Sequence, residues 1–242
     1  SYLIMQSICG IIAYLITSKY FKRSIPESII WALTVALSNH VTLLLPITEI
    51  YFQQNVITQV ASIILMDGII LLSVIAFFLE LSTKKNVNLF NFIKNLFLNP
   101  FILSIIIGLL FLLLNFNIDQ TPIEYTLSKL AACVSPVGLF AIGITLSFYT
   151  KNVINKLSVS ISVLKLVISP IILLLIGLVF FNAGLPAEIP GAFFVSVAPC
   201  GVTSIVLCAA YNVSPENIIK AIFVSTIASI GTIFFAIKYL TL

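Results

Sequence analysis

Two ionisable side chains stand inside long apolar runs of this sequence. Asp67 interrupts the run 56–79, and Lys165 interrupts the run 157–181. Runs of this length can cross a bilayer, where an ionised side chain costs about 3 kcal/mol and is therefore paired, protonated or functional. We expect Asp67 to carry a coupling proton or ion, the alternatives being a bond to a neighbouring helix or a water-filled vestibule. We expect Lys165 to take part in this coupling by neutralising a carboxylate, either that of the substrate or that of Asp67, unless it snorkels to the membrane surface.

Two other apolar runs are interrupted by polar or helix-breaking residues. An interrupted helix has unpaired N–H groups at the start of its second half, which attract anions and cannot face lipid. Asn39 can both donate and accept hydrogen bonds, so it is the first candidate for binding a carboxylate, the alternative being a bond between helices. The further candidates are Ser38, His40, Gly201 and Thr203 for the substrate, and Pro46, Pro199 and Gly201 for a crossover of the two broken helices.

Other chemistries lack the residues that they need. His40 is the sole histidine and has no cluster at metal-ligand spacing, so no metal site is predicted. A Ser–His nucleophile needs a carboxylate that orients the histidine, and Glu49 is nine residues further on. No glycine-rich phosphate loop is present. We therefore predict no catalytic residues and no cofactor, apart from a coupling H⁺ or Na⁺.

The composition is typical of an all-α polytopic membrane protein. Hydrophobic residues make up 60% of the 242 residues, charged residues make up 8%, and the mean hydropathy is +1.20. A soluble domain has about a quarter charged residues, so soluble enzymes, nucleic-acid binders and disordered scaffolds are poor interpretations. At about 20 apolar residues for each crossing, the length allows about eight helices.

Eight apolar segments account for most of the chain. They are predicted at 2–18, 28–52, 56–79, 100–116, 127–149, 157–181, 191–211 and 218–239. Lys and Arg gather after the first, third and fifth segments, and cytoplasmic loops retain positive charge. Both chain ends are therefore expected to face outward.

The two interrupted segments belong to an apparent internal repeat. Residues 32–35 resemble 192–195, Tyr51 corresponds to Tyr211, and 55–57 resemble 217–219, at offsets of 160 to 162. The positive charges give the two copies opposite orientations, which predicts an inverted repeat of the kind found in secondary transporters. Within one transporter domain, 1–242, residues 1–81 are then the remainder of the first repeat and 98–242 are the second. We expect these to be the last eight of about ten helices.

Several blocks of the sequence resemble the auxin efflux carrier family. The most specific is SPVGLFAIGITL at 135–146, and NPFI at 99–102, LKLVISP at 164–170, Ala198-Pro199 and YNV at 211–213 also fit. The resemblance implies ten helices in two inverted repeats of five, with broken fourth and ninth helices that cross mid-membrane, a fold related to bile-acid symporters and proton antiporters. The family's first crossover usually has glycines after the asparagine, whereas no glycine lies between Asn39 and Pro46 here.

The sequence therefore predicts a secondary active transporter, a permease or efflux carrier for a small organic anion. Bacterial members of the family are commonly described as permeases for malate, malonate and related acids, so the resemblance implies a mono- or dicarboxylate, moved by alternating access across a bacterial inner membrane. The alternatives are a sodium-coupled anion symporter of the bile-acid type, an intramembrane enzyme using His40 with Asp67, or a receptor. Expected partners are the anion and the lipid bilayer, not nucleic acid, with a homodimer left open.

Overall fold

Ten helices make up the fold of the described residues. The computed structural model describes residues 1–83, 93–94, 97–98, 100–149, 152–181 and 186–241, among which no strand is present. The helices are α1 (Tyr2–Tyr20), α2 (Ile25–Ala36), α3 (Leu45–Tyr51), α4 (Gln54–Thr83), α5 (Pro100–Leu113), α6 (Pro122–Ser147), α7 (Lys156–Phe180), α8 (Pro190–Ser196), α9 (Thr203–Ala210) and α10 (Glu216–Thr241). Lys84, Lys85 and Lys151 of the basic connections, and Asn99 of the NPFI block, lie outside the described residues.

The predicted class, an all-α polytopic membrane protein, is confirmed. Helices α1, α4, α6, α7 and α10 are each long and apolar enough to cross a membrane. Shorter apolar helices form α2 and most of α5. The second and seventh predicted segments are indeed broken, into α2 with α3 and into α8 with α9.

Polar caps determine where several helices begin. The hydroxyls of Ser24 and Thr121 accept hydrogen bonds from backbone N–H groups in the first turns of α2 and α6, and each is followed by a proline within two residues. Asn155 and Ser158 cap the start of α7 reciprocally. Such caps satisfy N–H groups that have no partner within the helix. Both α2 and α6 consequently begin several residues before the apolar runs.

Three of the long helices contain a π-helical turn. These turns span Ile16–Tyr20 in α1, Asp67–Leu71 in α4 and Leu164–Ile168 in α7. A π turn places one extra residue in a helical turn, and such turns are frequent at functional sites. Here two of the three include an ionisable residue that lies in the middle of an apolar helix, Asp67 and Lys165.

The broken helices lie in the core between the long helices. Helix α1 packs against α2, α7 packs against α10, and the interior includes the fully buried Trp31 of α2 and Phe194 of α8. By contrast, α6 has no buried residue. The packed interior therefore surrounds the two breaks and positions the residues around them.

Candidate functional site

The two breaks meet and pair through their backbones. Ser38 forms an isolated antiparallel bridge with Cys200. The N–H of Asn39 donates to the carbonyl of Pro199 at 2.9 Å, and the N–H of Gly201 donates to the carbonyl of Thr34 at 3.1 Å. Each break thus satisfies backbone groups of the other, as an irregular backbone at membrane depth requires.

Gly201 makes this close approach feasible. A Cβ atom built on Gly201 would lie 2.8 Å from the Cβ, Cγ and carbonyl oxygen of Leu37. No side chain fits at that distance, so the predicted role of Gly201 in the crossover has a steric reason. Pro199 takes part through its carbonyl.

Two of the predicted residues lie beside the crossing. Pro46 lies in the first turn of α3, after the π turn His40–Leu44, and is partly exposed. Thr203 is the first residue of α9 and is also partly exposed. The structure therefore separates Pro46 and Thr203 from the pairing residues Ser38, Asn39 and Gly201.

Helix α10 supplies side chains to backbone groups of the second break. The hydroxyl of Ser225 accepts a hydrogen bond from the N–H of Cys200 at 3.2 Å. The hydroxyl of Thr232 donates to the carbonyl of Val197 at 2.9 Å. These contacts hold the second break against α10.

Lys165 reaches the crossing from α7. Its side chain is fully buried, and Nζ donates to the Oγ of Ser38 at 2.7 Å. The hydroxyl of Ser38 in turn donates to the carbonyl of Val195 at 2.9 Å. Lys165 therefore does not snorkel to the membrane surface but places its amino group beside the first break.

Asp67 is the centre of a second buried cluster, formed with Gln6, His40 and Tyr2. Oδ1 of Asp67 accepts a hydrogen bond from Nε2 of Gln6 at 2.7 Å, and Oδ2 lies 3.0 Å from Nε2 of His40. The hydroxyl of Tyr2 lies 3.5 Å from the same Oδ2. Gln6 also donates to the carbonyl of Ala36, the last residue of α2. The cluster thus joins α1 and α4 to the first break.

Two side-chain nitrogens at the first break have no hydrogen-bond partner within the described part of the chain. They are Nδ2 of Asn39 and Nδ1 of His40, in side chains that are almost completely buried. The other end of the Asn39 amide, Oδ1, accepts a hydrogen bond from the hydroxyl of Thr42. A buried polar group without a partner costs about 1–3 kcal/mol. An acceptor that reaches Nδ2 of Asn39 would remove that cost.

Helix α6 contacts the first break through the block that resembles the transporter family. The hydroxyl of Ser135 donates to the carbonyl of Thr42 at 2.5 Å. A Cβ atom at Gly138 would lie 2.8 Å from Cγ2 of Thr42, so the absence of a side chain lets α6 approach. The block therefore packs beside Asn39.

Sequence reasoning missed Gln6, Tyr2, Thr42 and Ser135 as members of the site. Gln6 had a detectable signal, since it is an amide within an apolar run. Ser135 had no signal beyond its place in the family block. Neither residue's partner could be identified from the sequence, because the partners are 61 and 93 positions away.

The arrangement is suited to binding rather than to nucleophilic chemistry. The hydroxyl of Ser38 donates its proton to the backbone carbonyl of Val195. The same hydroxyl oxygen accepts a hydrogen bond from Nζ of Lys165, so Lys165 does not take the proton of Ser38. His40 contacts Asp67, but its other nitrogen has no hydroxyl partner among the described residues. These residues also include no group of three or more His, Cys, Asp and Glu side chains that could hold a metal ion.

Comparison with known proteins identifies one family. The family model described as "Membrane transport protein" matches residues 1–237, which is nearly the whole chain. No curated protein matches the sequence. The family match includes both breaks, Asp67 and Lys165.

Proposed function

The chain belongs to the membrane transport protein family, which is the auxin efflux carrier family, and on this premise we propose that it is a secondary active transporter of a small organic anion. The proposed substrate is a mono- or dicarboxylate, and the proposed binding site is the first break with Lys165. Malate and malonate are the first candidates, as the family resemblance implies.

The unpartnered amide of Asn39, next in the chain to the residue that binds the buried Lys165, is the observation that carries this proposal. Nδ2 of Asn39 is an unused donor, and the neighbouring residue, Ser38, holds the ammonium group of Lys165. Hydrogen bonds from charged or amide N–H donors to a carboxylate are strong when both groups are removed from water. In addition, no side chain caps the start of the π turn His40–Leu44 or the start of α9. The second half of each broken helix therefore presents partial positive charge at its first turn.

The buried charges favour coupling to protons. Lys165 and Asp67 are both fully buried. The charges of an ammonium group and a carboxylate sum to zero. A bound monocarboxylate would leave one net negative charge in a medium of low dielectric constant, which is costly. A proton taken up by Asp67, or by His40, which lies within hydrogen-bond distance of it, neutralises that negative charge. We therefore propose one proton for each carboxylate charge.

The hydrogen-bond partners of Asp67 favour a proton over sodium. Oδ1 of Asp67 accepts from the amide of Gln6, and Oδ2 lies against a ring nitrogen of His40. Hard cations bind to several oxygen ligands, whereas the nearest partners of the two carboxylate oxygens are side-chain nitrogens.

Burial of the site supports alternating access. Ser38, Asn39 and His40 are each at most 5% exposed, and Lys165 is 0% exposed. A substrate cannot reach them unless the helices around the two breaks separate. We propose that the inverted repeats supply this movement, one bundle shifting against the other, in a bacterial inner membrane with both chain ends outside. A homodimer remains a prediction.

Uptake into proteoliposomes tests the proposal. We expect acid-driven uptake of malate, malonate or a monocarboxylate by the wild-type protein. Asn39→Ala removes the unpartnered donor and should reduce uptake at least ten-fold, since a hydrogen bond to a charged group contributes about 1.5–3 kcal/mol. Asn55→Ala, at an exposed position, is the matched control and should transport normally. Equal uptake by the two variants would refute the proposed site, and no uptake of any carboxylate would refute the substrate class.

A further inference from the structure

An apolar groove lies between α1, α2 and the second half of α4. Its volume is about 630 Å³, and it extends from Ile25 and Tyr14 at one end to Gln6 and Ala36 at the other. The residues between these ends are almost all apolar, among them Ile29 of α2 and Ile75 of α4. This is a separate cavity from the site at the breaks, although Gln6 contributes to both.

The groove is as deep as one leaflet of a bilayer. From Ile25 to Ala36 its wall follows the 12 residues of α2, whose ends are about 16 Å apart along the helix. The hydrocarbon part of one leaflet is about 15 Å thick, half of a core of about 30 Å. An acyl chain that enters at the Ile25 end would reach Gln6 without leaving its own leaflet.

The groove is open on its membrane side. Ile11 is 60% exposed, Phe78 is 50% exposed and Val74 is 45% exposed. These residues belong to helices that are long and apolar enough to span a bilayer. Hydrocarbon from the surrounding lipid therefore has direct access to the groove.

Positive charge stands at the Ile25 end of the groove. Lys19 and Lys22 are exposed at the end of α1 and in the connection to α2, the two helices that form two of the walls. Arg23 is beside them and lies 3.6 Å from Glu27, while its Nε atom is buried without a hydrogen-bond partner among the described residues. The four side chains sum to two positive charges, which complements an anionic headgroup at this level of the membrane.

We propose that the groove is a binding site for an anionic phospholipid of the bilayer. One acyl chain lies between α1, α2 and α4, and the phosphate contacts Lys19 and Lys22. The lipid holds the start of α2 against the end of α4 and abuts Gln6, the residue that bonds to Asp67. The proposal depends on the membrane location of the chain and is independent of which anion is transported.

Native mass spectrometry and thermal unfolding test the headgroup contact. Phosphatidylglycerol should stay bound and raise the unfolding temperature at lower concentration than phosphatidylcholine with the same acyl chains. Lys19→Gln with Lys22→Gln should weaken phosphatidylglycerol binding about 30-fold, at roughly five-fold for each charge near an anionic surface. The control pair Lys156→Gln with Lys238→Gln, also exposed, should bind as the wild type does. Equal binding of the two lipids would overturn the proposal.

Filling the groove tests the position of the acyl chain. Ser7 lines the groove and Ser62 does not, yet both are exposed serines of spanning helices whose hydroxyls donate to the carbonyl four residues earlier. Ser7→Phe should abolish the retained lipid, whereas Ser62→Phe should keep it. Val74→Trp fills the groove from the opposite wall and gives an independent result if Ser7→Phe does not fold. Retention of the lipid by a folded groove variant would overturn the proposal.

Discussion

Gly201→Ala should destabilise the crossing of the two broken helices. The new Cβ would lie 2.8 Å from three atoms of Leu37, one of which is the backbone carbonyl oxygen. Ordinary contacts begin at 3.4 Å, so these atoms must separate by about 0.6 Å, as in other overpacked cores. A rotamer change of Leu37 relieves the contact with Cγ but not the contact with the carbonyl. The strain must therefore displace the backbone that pairs Ser38 with Cys200.

The cost of this displacement can be compared with known overpacking. Extra carbon atoms in a well-packed core typically cost about 1–3 kcal/mol. For a chain of this size each kcal/mol lowers the unfolding temperature by about 2–4 °C. Gly201→Ala is therefore expected to unfold about 2–12 °C below the wild type. Gly143→Ala is the matched control, because no heavy atom lies within 4 Å of its added Cβ.

Fluorescence of Trp31 provides the assay. Trp31 is the sole tryptophan and is fully buried in α2, the helix that leads into the first break. Its emission during heating of the purified protein reports when this region unfolds. An unfolding temperature of Gly201→Ala within one degree of the wild type would refute the close approach, whereas Gly143→Ala should unfold no lower than the wild type. Carboxylate uptake should fall with the loss of the crossing, and should be normal in the control.

The other predictions concern the Asp67 cluster. Asp67→Asn should abolish uptake driven by a pH gradient and spare exchange, because the charge of Lys165 is then no longer balanced by Asp67 and is neutralised by a bound monocarboxylate without a proton; unchanged gradient-driven uptake in proteoliposomes would contradict this. Gln6→Leu leaves the carbonyl of Ala36 and Oδ1 of Asp67 without their donor, so the free energy of unfolding should fall by about 1–3 kcal/mol. Gln53→Leu, at an exposed position, should unfold in denaturant as the wild type does, and an equal loss in both variants would show that the Gln6 contacts contribute nothing.

The sequence was sufficient to predict the helical segments and both breaks, because long apolar runs and their interruptions are local signals. It was also sufficient to single out Asp67 and Lys165, since charges are rare at membrane depth. The contact between His40 and Asp67 joins residues 27 positions apart. The sequence suggests this pair only for the enzyme alternative, because spacing along the chain does not indicate which helices are neighbours.

Proline illustrates why local signals mislead within a broken helix. Pro46 is a helix-breaking residue by type, yet the π turn His40–Leu44 continues directly into α3 through it. The carbonyl of Thr42, four residues earlier, accepts a hydrogen bond from the hydroxyl of Ser135 in place of the N–H that proline lacks. The helix breaks earlier, where 37–39 are not helical. The partners that stabilise those extended residues come from the second break, which only the tertiary structure identifies.

Direct binding of a carboxylate at the first break tests the central claim most directly. Isothermal titration of the purified protein with malate, malonate and indole acetate should detect at least one ligand. Binding of that ligand should be lost in Asn39→Ala and Lys165→Gln and kept in Lys129→Gln, where the lysine is exposed on α6. Equal affinity in all of these variants, each shown to be folded, would contradict the account.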